Sequence, residues 1–258
     1  MLRRVFFLLG LCLAGTLPAA APSTPAVRRL PAGKASPAQR PPPEPVRPEP
    51  PPPGIERFRG SQFQFARLQT SGAYWNRHAG GDPALLDYLR RATVLKIDPV
   101  FHSVRADSVE ALIVYPFIYC DNISYLSRAE AANVAEYLRR GGFLCIDACE
   151  FRTINPSIPL FLEAQLAVLK GQFPNLRTEE LLPEHEIFSV YFKLKNAPPY
   201  RKARDVLHPT YAVYDGDRLI GLIGLNGMQC GWSDDSAASY STECGQMMAN
   251  IYVYAMTR

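Results

Sequence analysis

The sequence predicts an α/β domain with three layers: a mostly parallel sheet carrying helices on both faces. Two apolar runs, Ala111 to Tyr119 and Phe143 to Ala148, are nearly continuous instead of alternating, as strands covered on both faces are. A helix signal lies between them. Ser127 and Glu130 have capping-box spacing, and Ala131, Val134, Ala135 and Leu138 fall at i, i+3, i+4 and i+7. Arg139, Arg140 and Gly141 then supply the charge and the conformational freedom that a helix carboxyl end favours. Strand, helix and strand in that order make a crossover joining parallel neighbours.

Residues Phe63 to Leu68 read as the first strand, followed by a loop from Thr70 to Gly81. Asp82 and Pro83 look like an N-cap and first-turn proline, and Leu85, Leu89 and Ala92 supply the helix's apolar stripe. A short strand is expected between Val94 and Val104, with Asp107 capping a single turn before the strand at Ala111. Pro116 removes a ladder donor and is read as a bulge or the end of regular pairing. Beyond Ala148, the loop Cys149 to Asn155 leads to a helix that begins at Pro156 or Ser157 and ends at Lys170. Thr210 to Tyr214 and Leu219 to Leu225 read as paired strands around the turn Asp215-Gly216-Asp217. The loop Asn226 to Tyr240 leads to a last helix with Cys244, Met247, Met248, Ile251 and Ala255 on one face.

The amino-terminal part reads differently. A charged start at Arg3 and Arg4, an apolar run from Val5 to Leu17 and small residues at Ala19 to Ala21 match a signal peptide over residues 1–21. The apolar run is short for a membrane span, so membrane contact is expected only through this segment if it stays uncleaved. Residues 22–56 are rich in proline and poor in large apolar side chains, the composition of a disordered, extended linker. The single folded domain is then 57–258, and export to the periplasm or beyond is expected. Seven of the 28 Lys/Arg and two of the 24 Asp/Glu lie in residues 1–54, so the formal charge of +4 belongs to the leader and linker. The remainder carries no cationic surface of the kind nucleic acids require.

An oxidising compartment makes disulfides plausible for Cys120, Cys145, Cys149, Cys230 and Cys244. Pairs Cys120–Cys149 and Cys230–Cys244 are expected, with Cys145 a small buried hydrophobe. In parallel sheets ligands bind beyond the carboxyl ends of the strands. The loops there hold the candidate ligand-binding residues Trp75, Asp121, Asn122, Asp147, Glu150, Trp232 and Asp234. Trp75 and Trp232 either stack on a sugar ring or cover the sheet's open end. Asp147 at a strand end is more often a loop-ordering acceptor. The sharpest catalytic hypothesis is Cys149 as nucleophile, His185 as base and Glu184 as the carboxylate orienting it. His185 and Phe188 also read as a structural turn with the imidazole bonded to backbone. A metal site from Asp147, Glu150, His185 and Asp234 or Asp235 is conceivable, but no two-histidine helical spacing and no C-x-x-C pair supports it, and no metal or cofactor is expected.

Several local patterns occur together: Phe63 to Leu68 with Trp75 after it, Tyr115 to Tyr119, Gly141 to Leu144 with Asp147, His185 to Phe188, and Asp217 to Leu219. In this order and spacing, through residues 61–258, they resemble a bacterial family known as domain of unknown function 4159. The resemblance implies a sheet similar to class I glutamine amidotransferase-like, flavodoxin-like domains, and no established reaction. Amidotransferases hold their cysteine on a G-x-C-x-G elbow, whereas Asp147 and Phe151 flank Cys149 here. The reading is therefore a domain that binds an unknown small molecule or an envelope protein without an intact amidotransferase nucleophile. The alternatives are a hydrolase using Cys149 and His185 or an acid pair, and a purely structural envelope component.

Overall fold

The computed structural model describes residues 62–72, 75–149, 158–200, 208–233 and 241–257. The leader, the linker, Glu150, Asp234 and the first residues expected of the helix ending at Lys170 lie outside the described residues. The regular elements are, in chain order, β1 (Ala66–Gln69), α1 (Asp82–Ala92), β2 (His102–Arg105), α2 (Val109–Ile113), β3 (Phe117–Cys120) and α3 (Arg128–Arg139). Then come β4 (Phe143–Asp147), α4 (Ile158–Lys170), β5 (Leu176–Glu180), β6 (Tyr211–Asp215), β7 (Arg218–Gly224) and α5 (Thr242–Thr257).

The crossover forms as the spacing predicts. Ser127 and Glu130 make both bonds of the capping box, and Gly141 takes a φ of 87° beyond the helix end. β3 and β4 pair in parallel with Tyr119 opposite Cys145 and Cys120 opposite Ile146. The seven strands lie in the order β2-β1-β3-β4-β7-β6-β5, a mixed sheet in which only β6 opposes the rest. Each strand residue alternates between two cores. Phe65, Phe117, Tyr119, Cys145 and Leu222 pack against α1 and α5, while Leu68, Ile118, Ile146 and Ile223 pack against α2, α3 and α4. Three layers result, as expected of continuous apolar strands that need cover on both faces. Among the described residues no helix is long and apolar enough to cross a membrane.

Four local expectations need correction. The run Ala111 to Tyr119 is not one strand: its first part is α2, capped by Ser108 and not Asp107, and pairing begins at Phe117. Pro116 thus precedes the ladder, where a missing N–H costs nothing. Asp82 does not cap α1. It is the first helical residue, and its side chain turns to Arg67 and Trp232 instead. β5 escaped the reading because its sequence, Leu176-Arg-Thr-Glu-Glu180, belongs to a largely exposed edge strand paired antiparallel to β6.

Candidate functional site

At the carboxyl ends of β1, β3, β4 and β7 the polar residues are tied into a continuous buried network. Arg67 leaves β1 on the α1–α5 face, 1% exposed, beneath the Tyr119 ring. Its Nε and Nη2 donate to Asp82 Oδ2 and Oδ1 at 2.6 and 2.7 Å, and its Nη1 donates to Gln229 Oε1 at 2.8 Å. Burial opposes the guanidinium charge, but the Asp82 carboxylate outweighs it and holds the pKa above its ordinary value. Trp232 Nε1 donates to Asp82 Oδ1 at 3.0 Å, so both carboxylate oxygens are engaged. Gln229 passes the chain outward, donating from Nε2 to Asp121 Oδ1 at 2.8 Å.

Asp121 is the half-buried outer end of that chain. Burial pushes its carboxyl up to about 6, against the Gln229 amide and the charges of Arg67 and Arg77, with Cys149 adding to the rise. The residue stands where the strand order reverses, since β1 continues to β2 on one side and the chain returns to β3 on the other. Such switch points open a crevice between neighbouring loops.

Asp147, the last residue of β4, performs a different task. Its Oδ1 accepts from the Asn226 and Gly227 amides at 2.9 and 3.3 Å, and its Oδ2 from the Met228 amide at 2.6 Å. Burial raises this carboxyl to about 7, while the Met228 and Asn226 amides pull it down. One carboxyl thus gathers three successive amides and clamps the loop that follows β7. The bridge between Cys149 and Asn226 fastens the same loop to the end of β4.

The clamped loop carries Cys230 to Cys149, and their sulfurs stand 3.0 Å apart. Gly227 has a φ of 63°, and a Cβ there would meet both sulfurs at 3.5 and 3.6 Å. His78 completes the group: one of its ring nitrogens and the two sulfurs all lie within 4.8 Å of one another. His78 has a φ of 58°, a left-handed conformation uncommon outside glycine. Its ring meets Ser233 Oγ through Nδ1 at 3.2 Å. Gly81 allows this approach, because a Cβ would lie 2.6 Å from the Trp232 carbonyl oxygen.

The structure brings Asp121, Asp147, Cys149 and Trp232 to one rim and sends His185 elsewhere. His185 packs against Tyr254 with ring centroids 5.9 Å apart, and Tyr254 packs against Phe143 at the opposite end of β4 from Cys149. His185 Nδ1 accepts from the Ile187 amide at 3.2 Å and caps the short 3-10 turn Glu186–Phe188. The pairing of Cys149 with His185, with the exposed Glu184 orienting it, is therefore not made; the structural-turn reading describes this segment. Trp232 is 1% exposed and stacks edge-on against Phe65 and Tyr119, so it covers the sheet's open end and offers no ligand face. Trp75 is half-buried in the loop after β1. Asn122 orders its own loop, its Oδ1 accepting from the Ser124 amide at 2.8 Å and from Gln165 Nε2 at 3.0 Å. No disulfide occurs among the described cysteines. Cys120 packs into the α2–α3–α4 core, while Cys149 meets Cys230.

Sequence reading missed the meeting of His78, Cys149 and Cys230. The two cysteines are separated by 81 positions. The available hints were glycines beside two of them, Gly80 and Gly81 after His78 and Gly231 after Cys230. Among curated proteins, none matches the chain. A family model does match, from residue 64 to residue 256, which takes in every strand and helix described above except the last residue of α5. The chain therefore belongs to the DUF4159 family, a domain of unknown function.

Proposed function

We propose that this chain is an exported binding domain with a class I glutamine amidotransferase-like, flavodoxin-like sheet, which captures a small polar ligand at its carboxyl rim in the cell envelope. The strand order β2-β1-β3-β4 supports that kinship, being the doubly wound arrangement whose ligands sit at the β1/β3 reversal. The observation that carries the reading is Asp121. It is a carboxyl partly withdrawn from water at that reversal, backed by the Gln229–Arg67–Asp82 chain and within electrostatic reach of Arg77. A rigid acceptor of this kind, with a cation beside it, suits a ligand carrying hydroxyl or amide donors.

Thermal melting of the full chain against neutral sugars, short peptides and small carboxylates tests this. A ligand at a hundred times its Kd stabilises by about 2.7 kcal/mol, or roughly 5–10 °C for a domain of this size. One class is expected to give that shift in the wild type and to lose it in Asp121→Asn and Arg77→Ala. No shift from any class, or an undiminished shift in both variants, overturns the proposal. A second reading, a cysteine hydrolase, has one specific support: His78 stands beside Cys149 in the role intended for His185. Turnover of an ester or amide that ceases on alkylation of Cys149 is the result that reading requires.

A further inference from the structure

We propose that Cys149, Cys230 and His78 form a binding site for a thiophilic divalent transition-metal ion of the zinc class. The three donor atoms lie within 4.8 Å of one another. Two sulfurs bound to a tetrahedral ion at about 2.3 Å stand about 3.8 Å apart. The observed separation of 3.0 Å therefore needs to open by less than about 1 Å. Two thiolates and one imidazole select borderline-soft ions over magnesium or calcium, and three protein ligands leave a fourth position for water or a ligand atom.

The surrounding structure holds the donors in place independently of any ion. Asp147 fixes the backbone of residues 226–228, and the 3-10 turn Met228–Gly231 then sets Cys230, with its amide donating to the Gly227 carbonyl at 2.9 Å. Cys149 is pinned by its bridge to Asn226. His78 is held by its left-handed backbone and by Ser233 Oγ on the ring, the kind of outer partner that orients an imidazole ligand. Backbone strain at a non-glycine residue recurs at functional sites, where the surroundings over-determine it.

The inference goes beyond the binding reading and stands without it, since uptake is measured with the metal alone. The full chain, reduced with a phosphine and freed of metal, is titrated with Co2+. The expected result is one equivalent per chain, with thiolate-to-cobalt absorption in the near ultraviolet and the visible bands of a four-coordinate ion, both erased by Zn2+. Cys149→Ser and Cys230→Ser are expected to weaken binding by more than the 10–100-fold typical of outer-shell changes, whereas Cys120→Ala leaves it unchanged. Near-ultraviolet circular dichroism of the metal-free variants separates lost folding from lost ligands. Should a cysteine variant unfold, His78→Ala decides the matter: it is half-buried on a loop and must also lose the visible bands. A reduced wild type without those bands overturns the proposal. So does wild-type affinity in both His78→Ala and Cys149→Ser, or a native Cys149–Cys230 disulfide whose reduced form takes up no Co2+.

Discussion

Replacing Arg67 by methionine strands the Asp82 carboxylate, 0% exposed, leaving the Trp232 indole still donating to it. Breaking one side of a buried pair in this way costs about 3–5 kcal/mol, because the remaining charge keeps its desolvation cost. Arg67→Lys is expected to fall between the two, since one ammonium cannot reproduce the fork that meets both oxygens of Asp82 and the Gln229 carbonyl together. Urea denaturation checks this, with the midpoint dropping and the slope unchanged. An Arg67→Met protein as stable as the wild type would contradict the network as described. The same scale explains why the sequence left Asp147 open between a ligand contact and a loop-ordering acceptor. A buried carboxyl at a strand end looks alike in sequence whether it meets a substrate or three loop amides.

At the level of elements, the short turn Glu186–Phe188 has a titratable cap. His185 accepts from the Ile187 amide only while its ring is neutral, and burial holds its pKa below 6.5. A folded-state pKa below the unfolded value favours the deprotonated form, so this contribution is present above pH 6.5 and is lost as the pH falls through the folded pKa. The urea midpoint is expected to decline between pH 7 and pH 5, and His185→Asn, which keeps a cap acceptor that does not titrate, is expected to flatten part of that decline. Identical pH slopes in the two proteins would remove His185 from the account. Element boundaries also show where local signals compete. The run from Val109 to Ile113 is apolar enough for a strand, yet Ser108 caps it into a helical turn, and the ladder waits until Pro116 has passed.

Across the whole molecule, every buried residue of the described core lies between Phe63 and Tyr254. The family match covers nearly the same interval, from 64 to 256. Deleting residues 1–54 is therefore expected to leave the melting temperature of the domain within about 1 °C of the full chain, where a loss of 1 kcal/mol shifts a domain of this size by about 2–4 °C. A cooperative melt several degrees lower would mean that the proline-rich segment contributes packing. The alternation of strand residues between two cores makes this economy possible: β1, β3, β4 and β7 are sealed on both faces by helices from the same interval.

What the chain declares locally is its layered α/β character. Continuous apolar runs, a capping box with its i, i+4 stripe, and the Asp215–Asp217 turn between β6 and β7 each act over a few residues, so their physics is complete within the sequence that contains them. Asp121, Cys149 and Trp232 were placed at the correct rim for the same reason, since a residue that follows a parallel strand must emerge at its carboxyl end. Which of these side chains meet was decided by the fold alone. Trp232 became core, His185 went to the far end of β4, and His78 arrived beside Cys149 and Cys230 through loops brought together by the order of four strands. Contacts of that kind depend on register and on close approaches such as Gly81 against Trp232, and neither leaves a periodic trace along the chain.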